Sequence, residues 1–174
     1  AGWRGANSRK GFRPPSSAIF ESIGYMDYRP LNKETWPDFV DLFGAKGACG
    51  GCWCMAWRRT RADYEKGKGE GNRRAMKRLA DGGREPGILL YRDGRAVGWC
   101  SVAPRSEFVF LQKARTLKPV DDQPVWSISC FFLRKDYRRK GLSSELLEAA
   151  ADFARRRGAR ILEGYPSVPK SENM

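Results

Sequence analysis

The stretch Asp136–Ala150, DYRRKGLSSELLEAA, decides how this sequence folds. Its second half begins a helical stripe: Leu142, Leu146, Ala149 or Ala150, and then Phe153 recur at helical spacing. That pattern predicts a helix from about 142 to 157, stopped by Gly158. Upstream, PVWSISCFFL (Pro124–Leu133) is rich in β-branched and aromatic residues and reads as a buried strand, and ARILEG (Ala159–Gly164) reads as another strand downstream. A strand that runs through a basic, glycine-bearing loop into a helix N-terminus is anion-binding architecture. The first helical turn presents unpaired backbone N–H groups and the positive end of the helix dipole. Gly141 lets the backbone approach a bound phosphate, Arg138, Arg139 and Lys140 add charge, and the Ser143 and Ser144 hydroxyls can donate. The ordinary alternative is a solvated basic loop capped by serine. The loop has one glycine and no following Lys-Ser/Thr, so it is neither G-x-x-x-x-G-K-[ST] nor G-x-G-x-x-G.

Working outward, GILLYRDGRAVGWCSV (Gly87–Val102) places two apolar runs around Asp93–Gly94, a turn pair suited to positive φ, and predicts a β-hairpin. Gly98, inside the second strand, marks a bulge or a close backbone approach. Further upstream, Trp36, Phe39, Val40 and Phe43 fall on one helical face closed by Gly44, and MDYRPL from Met26 reads as a short strand. Polar residues 61–83 predict a helix in two pieces broken at glycines, and 104–123 a long connection with some helix around Phe108, Phe110 and Leu111. Residues 1–25, rich in Gly, Ser, Arg and Pro without a period, read as a loosely ordered extension, and 26–174 as a single domain. The fold class is therefore α/β or α+β around a central sheet.

The chain has 174 residues and a net charge of +13, and the first 25 residues carry only four basic and one acidic of these, leaving +10 on the rest. Such a surface attracts polyanions. There is no histidine, which removes a histidine base, Ser–His or Cys–His nucleophile pairs, and histidine-containing zinc sites. No window approaches a membrane span, and the first 25 residues lack the apolar centre of a signal peptide. Five cysteines, an odd number, with no export signal, point to free thiols in a reducing, cytoplasmic setting.

The loop resembles motif A of the GNAT superfamily of acyl-CoA-dependent N-acyltransferases, [Q/R]-x-x-G-x-[G/A]. It reads Arg138-Arg139-Lys140-Gly141-Leu142-Ser143, with serine where Gly or Ala is usual. The resemblance extends from Met26 to Pro166, and GGCWCMAWR (Gly50–Arg58) and KPVDDQPVWSISCFF (Lys118–Phe132) look like a bacterial subgroup of the superfamily. It implies a mixed, mostly antiparallel sheet flanked by helices, with a V-shaped opening between the 124–133 and 160–164 strands. Acetyl-CoA would lie in that opening as co-substrate, with no metal. Its pantetheine arm would pair with the backbone of Phe131, Phe132 and Leu133. Its pyrophosphate would rest on Arg138, Arg139, Lys140, Gly141, Leu142, Ser143 and Ser144. An amine of a small molecule, or an amino group of a larger one, would attack the thioester directly in a ternary complex, and an N–H near Phe132 or Leu133 would hold the oxyanion.

The sequence departs from the superfamily pattern at the chemistry. Ser127 stands where some members carry a glutamate base. The usual thiolate-protonating tyrosine lies in a helix after the ARILEG strand, beyond Met174, and two further strands of the fold are likewise expected to be missing. Tyr165 and Glu163 are the nearest catalytic candidates, and a homodimer is one way to cover the open sheet edge.

The spacing Cys49, Cys52, Cys54 admits a zinc or redox reading. Structural zinc takes four ligands, however, and a redox C-x-x-C belongs at a helix start after a strand. In the superfamily arrangement this connection borders the acceptor pocket. Trp53, Met55 and Trp57 would then wall a substrate cleft with Cys54 inside it, or else cap the core under a loop. Arg105 is a candidate for orienting substrate. Two rivals remain: a non-catalytic basic module that binds nucleic acid, and a CoA-binding sensor on the same fold. The first accounts for the charge but gives no reason for the strand–RRKG–helix arrangement.

Overall fold

The computed structural model describes residues 26–166, so the expected extension over 1–25 lies outside the described residues, as do 167–174. After β1 (Tyr28–Pro30), helix α1 (Trp36–Phe43) starts with a proline in its first turn and ends at Gly44, whose φ is 64°. It buries Trp36, Phe39, Leu42 and Phe43. The polar stretch forms two helices as expected, α2 (Arg61–Lys66) and α3 (Glu70–Asp81), separated by glycines. The Thr60 hydroxyl caps α2 by accepting from the Asp63 N–H at 3.2 Å. Between α1 and α2 the cysteine-bearing connection is irregular, with Ala48, Trp53 and Cys54 all at positive φ.

The hairpin forms where its turn signal places it. β2 (Ile88–Arg92) and β3 (Arg95–Pro104) flank Asp93 and Gly94, whose φ values of 49° and 73° suit the right-handed twist of the strands. Both readings of Gly98 hold. Leu90 pairs with Gly98 and Tyr91 with Ala96, leaving Val97 as the extra residue of a bulge. A Cβ at Gly98 would lie 2.9 Å from Leu133 Cδ2 and 3.4 Å from Leu146 Cδ2. A short turn at Arg105–Glu107 and helix α4 (Val109–Lys113) follow, burying Phe108 and Leu111 against Ala103. Then come β4 (Trp126–Leu133), helix α5 (Leu142–Arg156) and β5 (Leu162–Gly164).

The five strands lie in the order β1-β2-β3-β4-β5, antiparallel except for the parallel β4–β5 pair. Helices cover both faces. On one face Leu89, Tyr91, Ala96 and Trp99 pack with Phe39, Phe43 and Met76. On the other, Ile88, Leu90, Val97 and Val102 pack against Leu146, Ala149, Ala150 and Phe153 of α5. This double cover explains why β3 is buried almost without alternation. The mixed, mostly antiparallel sheet flanked by helices is the architecture anticipated from the sequence.

Two features open the sheet. Ser101 pairs with Cys130 and Val102 with Ile128, so Ser129 is an unpaired bulge in β4. β5 then pairs only with Trp126, Ser127 and Ile128, and the rest of β4 has no β5 partner.

Candidate active site

The loop from β4 into α5 has a backbone shaped for close approach. Arg139 and Gly141 take positive φ, 58° and 78°, and nothing lies within 4 Å of where a Gly141 Cβ would be. The Ser144 N–H returns to the Gly141 carbonyl at 3.1 Å, closing the first turn of α5. The basic side chains differ in freedom. Arg138 donates through Nε to the Leu133 carbonyl at 3.1 Å, bracing the end of β4, whereas Lys140 lies over the Tyr137 ring at 5.4 Å.

Where β4 and β5 part, a cavity of about 580 Å³ opens. Ile128, Cys130, Phe131 and Leu147 line one side, and Glu163, Tyr165 and Trp57 the other. The strand alternation separates the three consecutive β4 residues expected to flank pantetheine. Phe131 faces the cavity and is 42% exposed, Phe132 packs on Phe43 across the sheet, and Leu133 joins the core beneath α5. Only their backbone runs along the opening together.

At the Glu163–Tyr165 wall of the cavity four polar side chains converge. Glu163 Oε1 accepts from Ser127 Oγ at 2.5 Å, from Arg105 Nη1 at 2.5 Å, and from the Tyr165 hydroxyl. Arg105 Nη1 also donates to the Tyr165 oxygen at 2.7 Å, and Nη2 to the Leu117 carbonyl. Burial alone would raise the Glu163 carboxyl, but hydrogen bonds from Ser127, Tyr165 and Arg105 and the guanidinium charge outweigh it and hold the group below its ordinary value. Burial and the bond to Glu163 push the Tyr165 phenol up. The phenol therefore stays protonated at neutral pH and the carboxylate stays ionised, which weakens Glu163 as a proton acceptor.

Three sequence expectations change here. Arg105 is not a free substrate-orienting cation: it is 7% exposed and committed to Glu163 and Tyr165. Trp53 and Cys54, at 3% and 5% exposed, belong to the core and not to the cleft. Trp53 stacks on Phe43 at 5.8 Å, in a space kept open by Gly47, whose Cβ would fall 2.3 Å from Trp53 Nε1. Trp57 alone of the expected wall reaches the cavity, stacked on Tyr165 at 5.3 Å. Residues the sequence reading missed include Ser127, fully buried and bonded to Glu163, and Cys130, which lines the cavity. Pairing with Cys54, and burial, keep the Cys130 thiol well above its ordinary value, so it remains a thiol. All five cysteines are free, and among the described residues no group of three or more Cys, Asp or Glu is placed to hold a metal ion. Among the same residues no helix is long and apolar enough to cross a membrane.

The acetyltransferase (GNAT) family pattern matches residues 52–171. No curated protein matches the chain. Among solved structures, the chain is similar to AAC(6')-Iy in complex with the bisubstrate analogue CoA-S-monomethyl-acetylneamine, at 17% identity and a TM-score of 0.52, over 84% of this chain and 82% of that one. It is also similar to the aminoglycoside N-acetyltransferase AAC(6')-Iy in complex with CoA, at 19% identity and a TM-score of 0.51, over 82% and 78%. A third likeness is to the aminoglycoside antibiotic 6'-N-acetyltransferase AAC(6')-Ih from Acinetobacter baumannii, at 16% identity and a TM-score of 0.50, over 83% and 82%. At these identities the likeness is one of fold.

Proposed function

Because the chain belongs to the acetyltransferase (GNAT) family, we propose that it is an N-acetyltransferase that moves the acetyl group of acetyl-CoA to an amine in a ternary complex. The observation that carries this reading is the cavity between the parting β4 and β5 strands, walled by the Glu163–Tyr165 pair and lying alongside α5. The thioester arm lies along the backbone of Phe131, Phe132 and Leu133, which has no β5 partner and so keeps peptide groups for the pantetheine amides. The pyrophosphate sits on Arg138, Arg139, Lys140, Gly141, Leu142, Ser143 and Ser144, where charge and the α5 N-terminus coincide.

The amine nitrogen attacks the thioester carbonyl carbon, and a backbone N–H near Phe132 or Leu133 holds the oxyanion. As the C–N bond forms and the C–S bond breaks, the departing thiolate takes the Tyr165 proton. Arg105, donating to the same oxygen, stabilises the phenolate left behind. Glu163, kept ionised, orients the phenol; the surplus proton of the amine leaves to solvent, and solvent returns a proton to the Tyr165 phenolate. Trp57 forms the acceptor side of the cleft. Five free cysteines accord with a reducing compartment such as the cytoplasm.

The test is release of free CoA thiol from acetyl-CoA over a panel of amines. At least one amine is expected to drive turnover, with Tyr165→Phe lowering kcat by about 100-fold while the KM for acetyl-CoA stays near that of the wild type. Binding of acetyl-CoA without turnover on any amine would favour the sensor reading instead.

A further inference from the structure

A second cavity, of about 640 Å³, lies on the other side of the segments that bound the cleft. Trp57 faces the cleft and its neighbour Arg58 faces this cavity, while Arg105 serves the cleft and Ser106 and Glu107 line the second cavity. Its charge is lopsided. Arg58, Arg59, Arg78 and Arg84 contribute guanidiniums, and Glu107 is the sole carboxylate in the lining.

Arg58 is the unusual member. It is 7% exposed, stacked over Phe108 at 4.5 Å, and it donates to Glu107 at 3.0 Å and to the Pro86 carbonyl at 2.7 Å. Its Nε is buried with no hydrogen-bond partner among the described residues. A buried guanidinium N–H without an acceptor is costly and rare. Glu107 is divided between two cations, since Arg84 also reaches it at 4.0 Å. Arg59 donates to Asn72 at 2.9 Å, and Arg78 has no ion-pair partner among the described residues. The surplus of three positive charges suits a dianion better than a monocarboxylate, and planar guanidinium forks match the oxygens of a phosphate group. The volume falls within the range of small-ligand sites, which run from about 300 to 1,000 Å³.

We propose that this arginine-lined cavity binds the phosphate group of a small phosphorylated ligand, with Arg59, Arg78 and Arg84 supplying the guanidiniums that meet it and Arg58 a buried positive charge behind them. The site is separate from the acyl-CoA cleft and does not depend on acetyl transfer. It would stand even if the chain bound no CoA.

The test follows the Arg58 Nε–H resonance by ¹⁵N-correlated NMR during titration with inorganic phosphate at constant ionic strength, with acetate as a monoanionic control. The protein is the Arg138→Ala/Arg139→Ala variant, which weakens the α5 loop as a competing phosphate site. A saturable phosphate shift is expected, at least tenfold weaker when Arg78→Ala and Arg84→Ala are added, and weaker still or absent with acetate. Arg78 and Arg84 are exposed, so their removal leaves the fold in place, which the amide spectrum checks. Three outcomes overturn the proposal: no saturable shift, the same affinity after Arg78 and Arg84 are removed, or acetate binding as tightly as phosphate.

Discussion

Arg58 and Arg105 are both buried guanidiniums, each 7% exposed, and each lies against a glutamate. They differ in how fully the protein answers them. Arg105 meets a carboxylate, a phenol oxygen and a carbonyl, and its partner Glu163 is further bonded by Ser127. Arg58 shares its carboxylate with a second cation, keeps one N–H without a partner and faces three more arginines. Burial alone thus does not say what a charged residue is for. A fully answered cation positions its neighbours, whereas Arg58 adds incompletely neutralised positive charge beside a basic cavity.

That contrast can be broken by substitution. Arg105→Met should be the more damaging change, lowering stability by about 3 kcal/mol in urea unfolding, because it strands Glu163 and Tyr165 without their cation. Arg58→Met should cost less, about 1–2 kcal/mol, since Glu107 keeps Arg84 and an unsatisfied donor is removed. Added phosphate should also raise the melting temperature of the wild type more than that of Arg58→Met. A larger loss from Arg58→Met would reverse the comparison.

A subtler effect concerns acid. The folded Glu163 carboxyl is held below its ordinary 4.5, so its contribution is complete above that pH and is lost as pH falls below it. Glu163→Gln should therefore flatten the fall in stability below about pH 4.5, measured by unfolding across pH 3–6. The smallest effect is expected at Arg155, whose side chain is 78% exposed and pairs with Asp152 on the surface of α5. Arg155→Ala should change stability by less than about 0.5 kcal/mol, which sets the baseline for the buried pair.

Local patterns and long-range contacts differ in how far they could be read from sequence. The hairpin at Asp93–Gly94 and the α5 stripe of Leu142, Leu146, Ala149 and Phe153 are local patterns, and both appear where their spacing puts them. The basic loop was legible for the same reason, because strand, glycine and helix start are contiguous. The Arg105–Glu163 contact joins residues 58 positions apart, and the Arg58–Glu107 contact residues 49 apart. Neither leaves a local trace. The cysteine connection carries no period, so its inward and outward residues could not be separated. Trp53 and Cys54 turn inward because α1 offers them an aromatic bed and Gly47 leaves room, whereas Trp57 turns to the cleft and meets Tyr165. Ser127 was visible only as a position lacking a glutamate. Parallel pairing with β5 places it opposite Glu163, which supplies a carboxylate from the neighbouring strand.

Acetyl-CoA is proposed to occupy the cleft between β4 and β5 with its pyrophosphate on the α5 loop. Isothermal titration calorimetry with acetyl-CoA, on the wild type and on Gly141→Glu, tests that placement most directly. A side chain has open space at Gly141, so the substitution adds backbone strain and a negative charge at the loop without a clash. Saturation at one site per chain is expected for the wild type, with binding weakened by at least about tenfold in the variant, as loss of one charge-assisted contact would give. No saturable binding by the wild type, or equal affinity in the two proteins, would contradict it.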